Sequence, residues 1–349
     1  MILTRFVFAI FFFTGLIPAT GKPLPTGGKA LLSPPARIIR TCCSFGADLR
    51  VTGIPVKKVT HITSLANLGP HKYLGGAQEG NGIIYTRRGG FIDLGHLRDQ
   101  ADWTAYLYSL ILRSQVKGEM AQKLGYEGGL KMLNLTVPHL LDSADVRLLA
   151  ARIAYDLSVW HEIATWFGAS YVPLVTERYS SFSIEDAYSN LLGATLGIEA
   201  LRSELPYEEA MTQLLAQTLH ELQAVPTAAD TYQAMETVHN IWWTREKKLP
   251  SGKVLLERQL DVYSLMKPML VPGMAQAGVM ARTLTIPETT RQGQPLSELY
   301  ELVIRPNYKF PLKELFPLEN RTFITQKDFA VLLRQVEKEC RPQHAQLPR

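Results

Sequence analysis

Cysteine is scarce: the chain has three, Cys42, Cys43 and Cys340, in 349 residues. Three thiols allow one bridge and leave one over, and Cys340 paired with Cys42 or Cys43 is the expected bridge in an oxidising compartment. It would close a loop of almost the whole chain, a constraint worth roughly 4–5 kcal/mol. A lipid-modified Cys42 is disfavoured, because Ile39-Arg40-Thr41 carries an Arg and lies far past the apolar N-terminal run. No His stands close in sequence to make a catalytic thiol. Long apolar runs are also lacking. Phe6 to Ile17 is the longest, about twelve residues, against the ~20 that a spanning helix needs. Charge of one sign is not concentrated either. Lys and Arg number 37 against 32 Asp and Glu, and the densest basic spots are Arg87-Arg88 and Arg245-Glu246-Lys247-Lys248. A nucleic-acid footprint needs a concentrated basic face, so nucleic acid is not an expected partner.

What is present begins with a basic start, the Phe-rich run and Ala19-Thr20-Gly21. This pattern reads as a cleavable secretory signal over residues 1–21, cut after Gly21. The protein is then expected to be exported, periplasmic or secreted, with no transmembrane span in the mature chain. Residues 22–38 hold Pro23, Pro25, Gly27, Gly28, Pro34 and Pro35 and read as a linker. Residues 39–349 are expected to form one domain, with 248–349 a candidate subdomain.

Ile83-Ile84-Tyr85-Thr86 and Phe91-Ile92-Asp93-Leu94 flank Arg88-Gly89-Gly90 and predict a β-hairpin. In the second strand Ile92, Leu94 and His96 would share a face by the period of two, with a helix from about Asp99 to Gln115. Apolar residues from Val146 to Phe167 recur at helical steps and predict a helix over 144–167, N-capped by Ser143 and closed by Gly168. Further helices are expected over 183–202, with Ser183 and Asp186 as a capping box, then 207–222, 228–244 and 326–339. Short β-branched runs mark 254–263 and 302–305. The fold class is mainly α with a small β part (α+β): one α-rich domain, a hairpin and a wrapping C-terminal segment.

Three segments place titratable groups inside apolar patterns: Gly95–Asp102, Trp160–Thr165 and Ser183–Asn190. Burial there needs a partner or a purpose. His96 can ligate a metal or act as a base, or simply bond the helix start, with Asp99 capping and Asp102 pairing Arg98. His161-Glu162-Ile163-Ala164-Thr165 lacks the second His of the zinc-peptidase pattern, because Thr165 stands in its place. That chemistry is excluded. Asp186, Asn190, Gly193 and Gly197 fall on one helix face, so another helix or a ligand approaches closely there. Ser189 borders that face without a nucleophile elbow around it. His220 and His239 read as helix-surface residues, and His61, His71, His139 and His344 as loop residues.

The leader, Arg40-Thr41-Cys42-Cys43-Ser44-Phe45-Gly46, the segment 90–102, the His161-Glu162 helix and 183–193 together resemble a family of exported bacterial proteins catalogued only as a domain of unknown function. The resemblance implies an envelope or secreted location and transfers no activity.

The residues themselves point to an extracytoplasmic hydrolase using one divalent metal, zinc by its ligand chemistry. His96, His161 and Asp186 would ligate, Glu162 with His161 would catalyse, and Asn190, Ser189 and Asp99 would contact substrate. The rival is a non-catalytic envelope protein that binds a partner or ligand through a helical groove near Gly193 and Gly197. The substrate or envelope component is not specified by either.

Overall fold

The first strands of the fold are short and wholly buried. In the computed structural model, which describes residues 34–36, 38–40, 45–49, 60–137, 141–170, 177–245, 254–274 and 278–344, β1 (Ile83–Thr86) pairs antiparallel with β2 (Gly90–Asp93). The leader, most of the linker, Cys42, Cys43 and His139 lie outside the described residues. Thr86 Oγ1 accepts from Gly89 N–H (2.9 Å) and donates to the Gly90 carbonyl (3.0 Å), which closes the hairpin turn.

The helix α1 (Leu94–Lys117) follows β2 without a loop. Asp93 caps it, its carboxylate accepting from Gly95 N–H at 2.7 Å and His96 N–H at 3.0 Å. The expected strand geometry at His96 is therefore corrected. Two capped donors at a helix start outweigh one more extended residue, so His96 sits in the first helical turn.

A second hairpin follows, β3 (Glu119–Tyr126) and β4 (Gly129–Thr136), and then the long helix α2 (Ser143–Trp166). Asp142, rather than Ser143, caps α2, accepting from Ala144 and Asp145 N–H, both at 2.9 Å. The helices α3 (Asp186–Arg202), α4 (Tyr207–Glu221) and α5 (Ala228–Thr237) come next. The predicted box at Ser183 does not form: the Ser183 hydroxyl donates to Glu185 Oε2 (2.6 Å), and α3 starts three residues later. The helix expected over 228–244 ends early. Asn240 turns the chain at φ 62 and Trp243 is buried with its Nε1–H on the Met235 carbonyl (2.9 Å).

The remaining elements are the pair β5 (Trp243–Thr244) and β6 (Val254–Leu255), then β7 (Tyr300–Pro306), α6 (Leu312–Leu315), β8 (Ile324–Thr325) and α7 (Phe329–His344). β7 pairs with β4 and β8 with β7, giving a four-stranded sheet in the order β3-β4-β7-β8. The C-terminal part therefore returns to the core made earlier: Leu133 pairs Leu302 across the sheet, and Trp160 of α2 stacks on Phe329 of α7 with centroids 6.0 Å apart. The fold is mixed α+β, with more sheet than the hairpin alone.

α1 packs on both α2 and α3. A Cβ on Gly193 would lie 2.0 Å from the Leu97 carbonyl, and one on Gly197 would lie 2.9 Å from Thr104 Cβ. The glycine face of α3 is filled by α1, so the helical groove expected there is absent. The missing side chains let two backbones touch. Among the described residues no helix is long and apolar enough to cross a membrane. Cys340 is a buried free thiol, so the expected bridge is not formed here, and its two candidate partners lie outside the described residues.

Candidate functional site

The start of α1, the last turns of α2 and the start of α3 meet. His96 and His161 come together, their ring centroids 6.3 Å apart. Both line one cleft with Asp99, Gln100, Trp103 and Asn190, a narrow opening with about 30 Å³ of space inside it. Their side chains keep 12% and 19% of their surface accessible. The two imidazoles are the solvent-reaching part of an otherwise buried polar cluster.

Each ring is backed by carboxylate. His161 Nδ1 lies 2.8 Å from Glu127 Oε1. His96 Nδ1 lies 3.1 Å from Asp186 Oδ1 and 3.5 Å from Asp93 Oδ2. A carboxylate hydrogen-bonded at Nδ1 places the His161 proton there and leaves Nε2 as its basic nitrogen, and Asp186 beside His96 Nδ1, an ion-pair contact outside hydrogen-bond geometry, biases that ring the same way. Glu127 is delivered by the β3–β4 turn. Gly128, at φ +61, makes that turn possible, and Trp160 Nε1–H fastens it to α2 by donating to the Glu127 carbonyl (3.0 Å). Lys131 Nζ donates to Glu127 Oε2 (2.6 Å), so the buried carboxylate keeps its charge partnered.

Glu162 stands behind the two rings and is not among the residues that line the cleft. Its Oε2 accepts from Phe182 N–H (2.6 Å), and its Oε1 is buried without a hydrogen-bond partner. Burial first, and then the charge of Asp186, push its carboxyl up from 4.5 to about 7, against the pull of both histidines and of Phe182 N–H. Phe182 delivers that N–H from a left-handed backbone at φ 58. This is a strained conformation for a bulky residue, held by the Glu162 bond and by Gln259 N–H on the Phe182 carbonyl (3.0 Å). Glu162, expected from the sequence to be the reacting base, is thus set back from the cleft lining.

The other expected contacts divide. Asn190 reaches the cleft, and its Oδ1 is buried with no hydrogen-bond partner. Ser189 does not: its hydroxyl oxygen accepts from Asp93 N–H (2.9 Å) and fixes α3 to the end of β2. Asp99 faces the cleft, but its carboxylate accepts from the N–H groups of Ile39 (3.0 Å) and Arg40 (3.3 Å) and from Arg40 Nη1 (2.9 Å). Burial nonetheless holds Asp99 up at about 6, with Arg40 pulling the other way.

Arg40 belongs to a second buried cluster that the sequence reading did not foresee. Its Nη1 also donates to Asp102 Oδ2 (2.9 Å), and Nε and Nη2 grip Glu79 at 2.6 and 2.7 Å. Burial opposes ionisation of Glu79, but the Arg40 guanidinium holds it down at about 2. Asp102 pairs with Arg40, with His71 Nε2 (3.0 Å) and with the Tyr207 hydroxyl (3.1 Å). The expected Asp102–Arg98 pair is not made; Arg98 donates to the Leu68 carbonyl (2.6 Å). His71, read from sequence as a loop residue, is sealed in this cluster.

Among the described residues no group of three or more His, Cys, Asp or Glu is arranged to hold a metal ion. The carboxylates back the rings instead of converging with them. The site thus defines a mixed α+β protein with a two-histidine cleft, each imidazole braced by acid. The chain belongs to the family described as "Protein of unknown function (DUF4056)", which matches residues 29–272. That span includes both histidines, every carboxylate around them and the Arg40 cluster. No curated protein and no solved structure matches the chain.

Proposed function

We propose that this protein is an exported hydrolase that works by paired imidazoles on an acyl substrate. The observation that carries the reading is the shared cleft: two rings 6.3 Å apart, each with Nδ1 against a carboxylate and its surface partly open. One imidazole then serves as base and the other as acid, a division that contributes typically 10²–10⁴-fold. His161 Nε2 takes a proton from water as the water oxygen bonds to the acyl carbon. The tetrahedral species collapses by breaking the bond to the leaving group, which takes its proton from protonated His96. The proton left on His161 returns to His96 through solvent in the cleft before the next turnover, and Glu162, buried behind the rings with its carboxyl at about 7, acts on them through charge. The sequence of residues 1–21, a basic start, a Phe-rich run and Ala19-Thr20-Gly21, supports export.

The charges around the cleft favour an acyl over a phosphoryl substrate. Five carboxyl groups, Asp93, Asp99, Glu127, Glu162 and Asp186, surround the rings. Both cations that line the cleft, Arg40 and Lys131, are already committed to carboxylates. A phosphate dianion would meet net repulsion there. A zinc ion between the rings would polarise the acyl carbonyl and activate water; the reading above is argued from the side chains, and the chelator arm of the test decides between the two.

The test is turnover of p-nitrophenyl acetate, acyl p-nitroanilides and p-nitrophenyl phosphate by protein prepared with and without chelator. The expected result is hydrolysis of acyl substrates, unchanged by chelator and reduced at least 100-fold in His161→Ala and His96→Ala. Turnover that survives both substitutions would remove the reading. Loss of activity on chelation, with stoichiometric metal in the untreated protein, would restore the zinc version.

A further inference from the structure

We infer that the cleft selects a secondary amide, and that the side-chain carbonyls of Asn190 and Gln100 are its anchors. The inference rests on the acyl-hydrolase reading and narrows it. Asn190 on α3 and Gln100 on α1 both line the cleft. Both are more than nine-tenths buried, at 2% and 8% exposure. Asn190 Oδ1 and Gln100 Oε1 each lack a hydrogen-bond partner. A buried acceptor left unpaired costs free energy comparable to a lost hydrogen bond, so two of them from neighbouring helices at one cleft mark a place where a ligand brings donors.

Among acyl compounds the amide is the one that carries an N–H beside the scissile carbonyl. An ester offers acceptors only, and would leave both oxygens unsatisfied. The acidic surroundings point the same way, since they tolerate a neutral or cationic group and disfavour an anion. Trp103 adds an aromatic wall to the same cleft, suited to the planar amide face. In this arrangement the amide N–H is shared between Asn190 Oδ1 and Gln100 Oε1 as a three-centre hydrogen bond. The carbonyl turns toward the imidazoles, and hydrolysis breaks the C–N bond with the amine taking its proton from His96.

A secondary amide can come from a peptide or from an N-acylated amino sugar. The experiment is binding of N-acetylalanine methylamide, N-acetylglucosamine and inorganic phosphate to the full chain, followed by amide chemical shifts, in wild type, Gln100→Met and Asn190→Leu. At least one amide probe should bind, with phosphate silent at the same concentration, and each substitution should weaken binding about tenfold. Which amide binds more tightly names the source. Binding unaffected by Gln100→Met, or binding of phosphate in preference to both amides, overturns the inference. Should Asn190→Leu fail to fold, as judged by circular dichroism, Gln100→Met alone decides. Amide binding that depends on Gln100 in a protein inert toward every chromogenic substrate would remove the hydrolase and keep the amide site. Ester turnover without amide binding would do the reverse.

Discussion

His161 and His71 are both held by a carboxylate at about hydrogen-bond length, 2.8 Å from Glu127 and 3.0 Å from Asp102. Their surroundings differ. The His71 side chain is fully enclosed, its Nδ1 facing Glu79 Oε1 at 3.8 Å, while His161 keeps a fifth of its surface open. The unpaired atoms differ too. Around His71 they include donors, Arg98 Nε and Nη1; at the cleft they include acceptors on Asn190 and Gln100. The orphaned Arg98 Nη1 already has the Glu79 carboxylate at 3.5 Å, whereas the cleft's acceptors wait for something from outside. Charge pairing alone therefore does not mark a functional histidine. A braced ring that keeps part of its surface in a cleft, beside unsatisfied acceptors, does.

The sharpest way to break this contrast is to delete one member of each cluster. Arg40→Ala strands the carboxylates of Glu79, Asp99 and Asp102 in a buried site, and should cost 3–5 kcal/mol or roughly that, read by urea unfolding. His161→Ala leaves Glu127 still paired with Lys131 and should change stability by about 1 kcal/mol or less. Equal losses in the two variants would erase the distinction between a structural cluster and a site.

A smaller effect tests the raised Glu162 carboxyl. The Glu162 carboxyl is raised in the fold from 4.5 to about 7. Its stabilising protonated form is fully present below 4.5 and is lost as pH rises through 7. Folding stability should thus fall over that window by up to roughly 3 kcal/mol from this group. Glu162→Gln, which keeps an acceptor for Phe182 N–H, should flatten the fall in unfolding measured at pH 5 and pH 8. An unchanged slope would take Glu162 out of the account.

Smaller again is Gly193→Ala. Its Cβ would meet the Leu97 carbonyl at 2.0 Å, so α1 and α3 must part, at a cost of roughly 1–3 kcal/mol. The shift separates His96 on α1 from Asp186 on α3 and leaves the contacts of Arg40 to Asp99 and Asp102, both on α1, in place. Activity should drop more than unfolding free energy would suggest. A variant fully active after losing that stability would show that the His96–Asp186 contact is dispensable.

Local signals in the sequence carried much of the fold. The three- and four-residue recurrence from Val146 to Phe167 located α2 within a residue or so, and Gly89-Gly90 between apolar runs located the first hairpin. Whether His96 and His161 meet was left open by the sequence; they do meet, with His96 arriving from a helix start and not from a strand. What stayed hidden was long-range. Glu127 lies in a turn whose signal, Gly128-Gly129 between two eight-residue runs with Leu133 and Leu135 alternating inward, was available and unused. Arg40 and Asp102 are 62 positions apart, and no periodicity links them. The glycines of α3 correctly announced a close approach, but spacing alone could not say that α1, and no ligand, fills it.

The central claim is that both cleft histidines keep their proton on Nδ1 and turn a basic Nε2 to the cleft. Nitrogen-15 imidazole spectra of the neutral rings read this directly. The account predicts the Nδ1–H tautomer for His96 and His161, and a proton on Nε2 for His71, which faces Asp102 through that atom. Nε2–H on His96 and His161 would contradict it, because the two rings would then offer the cleft no base.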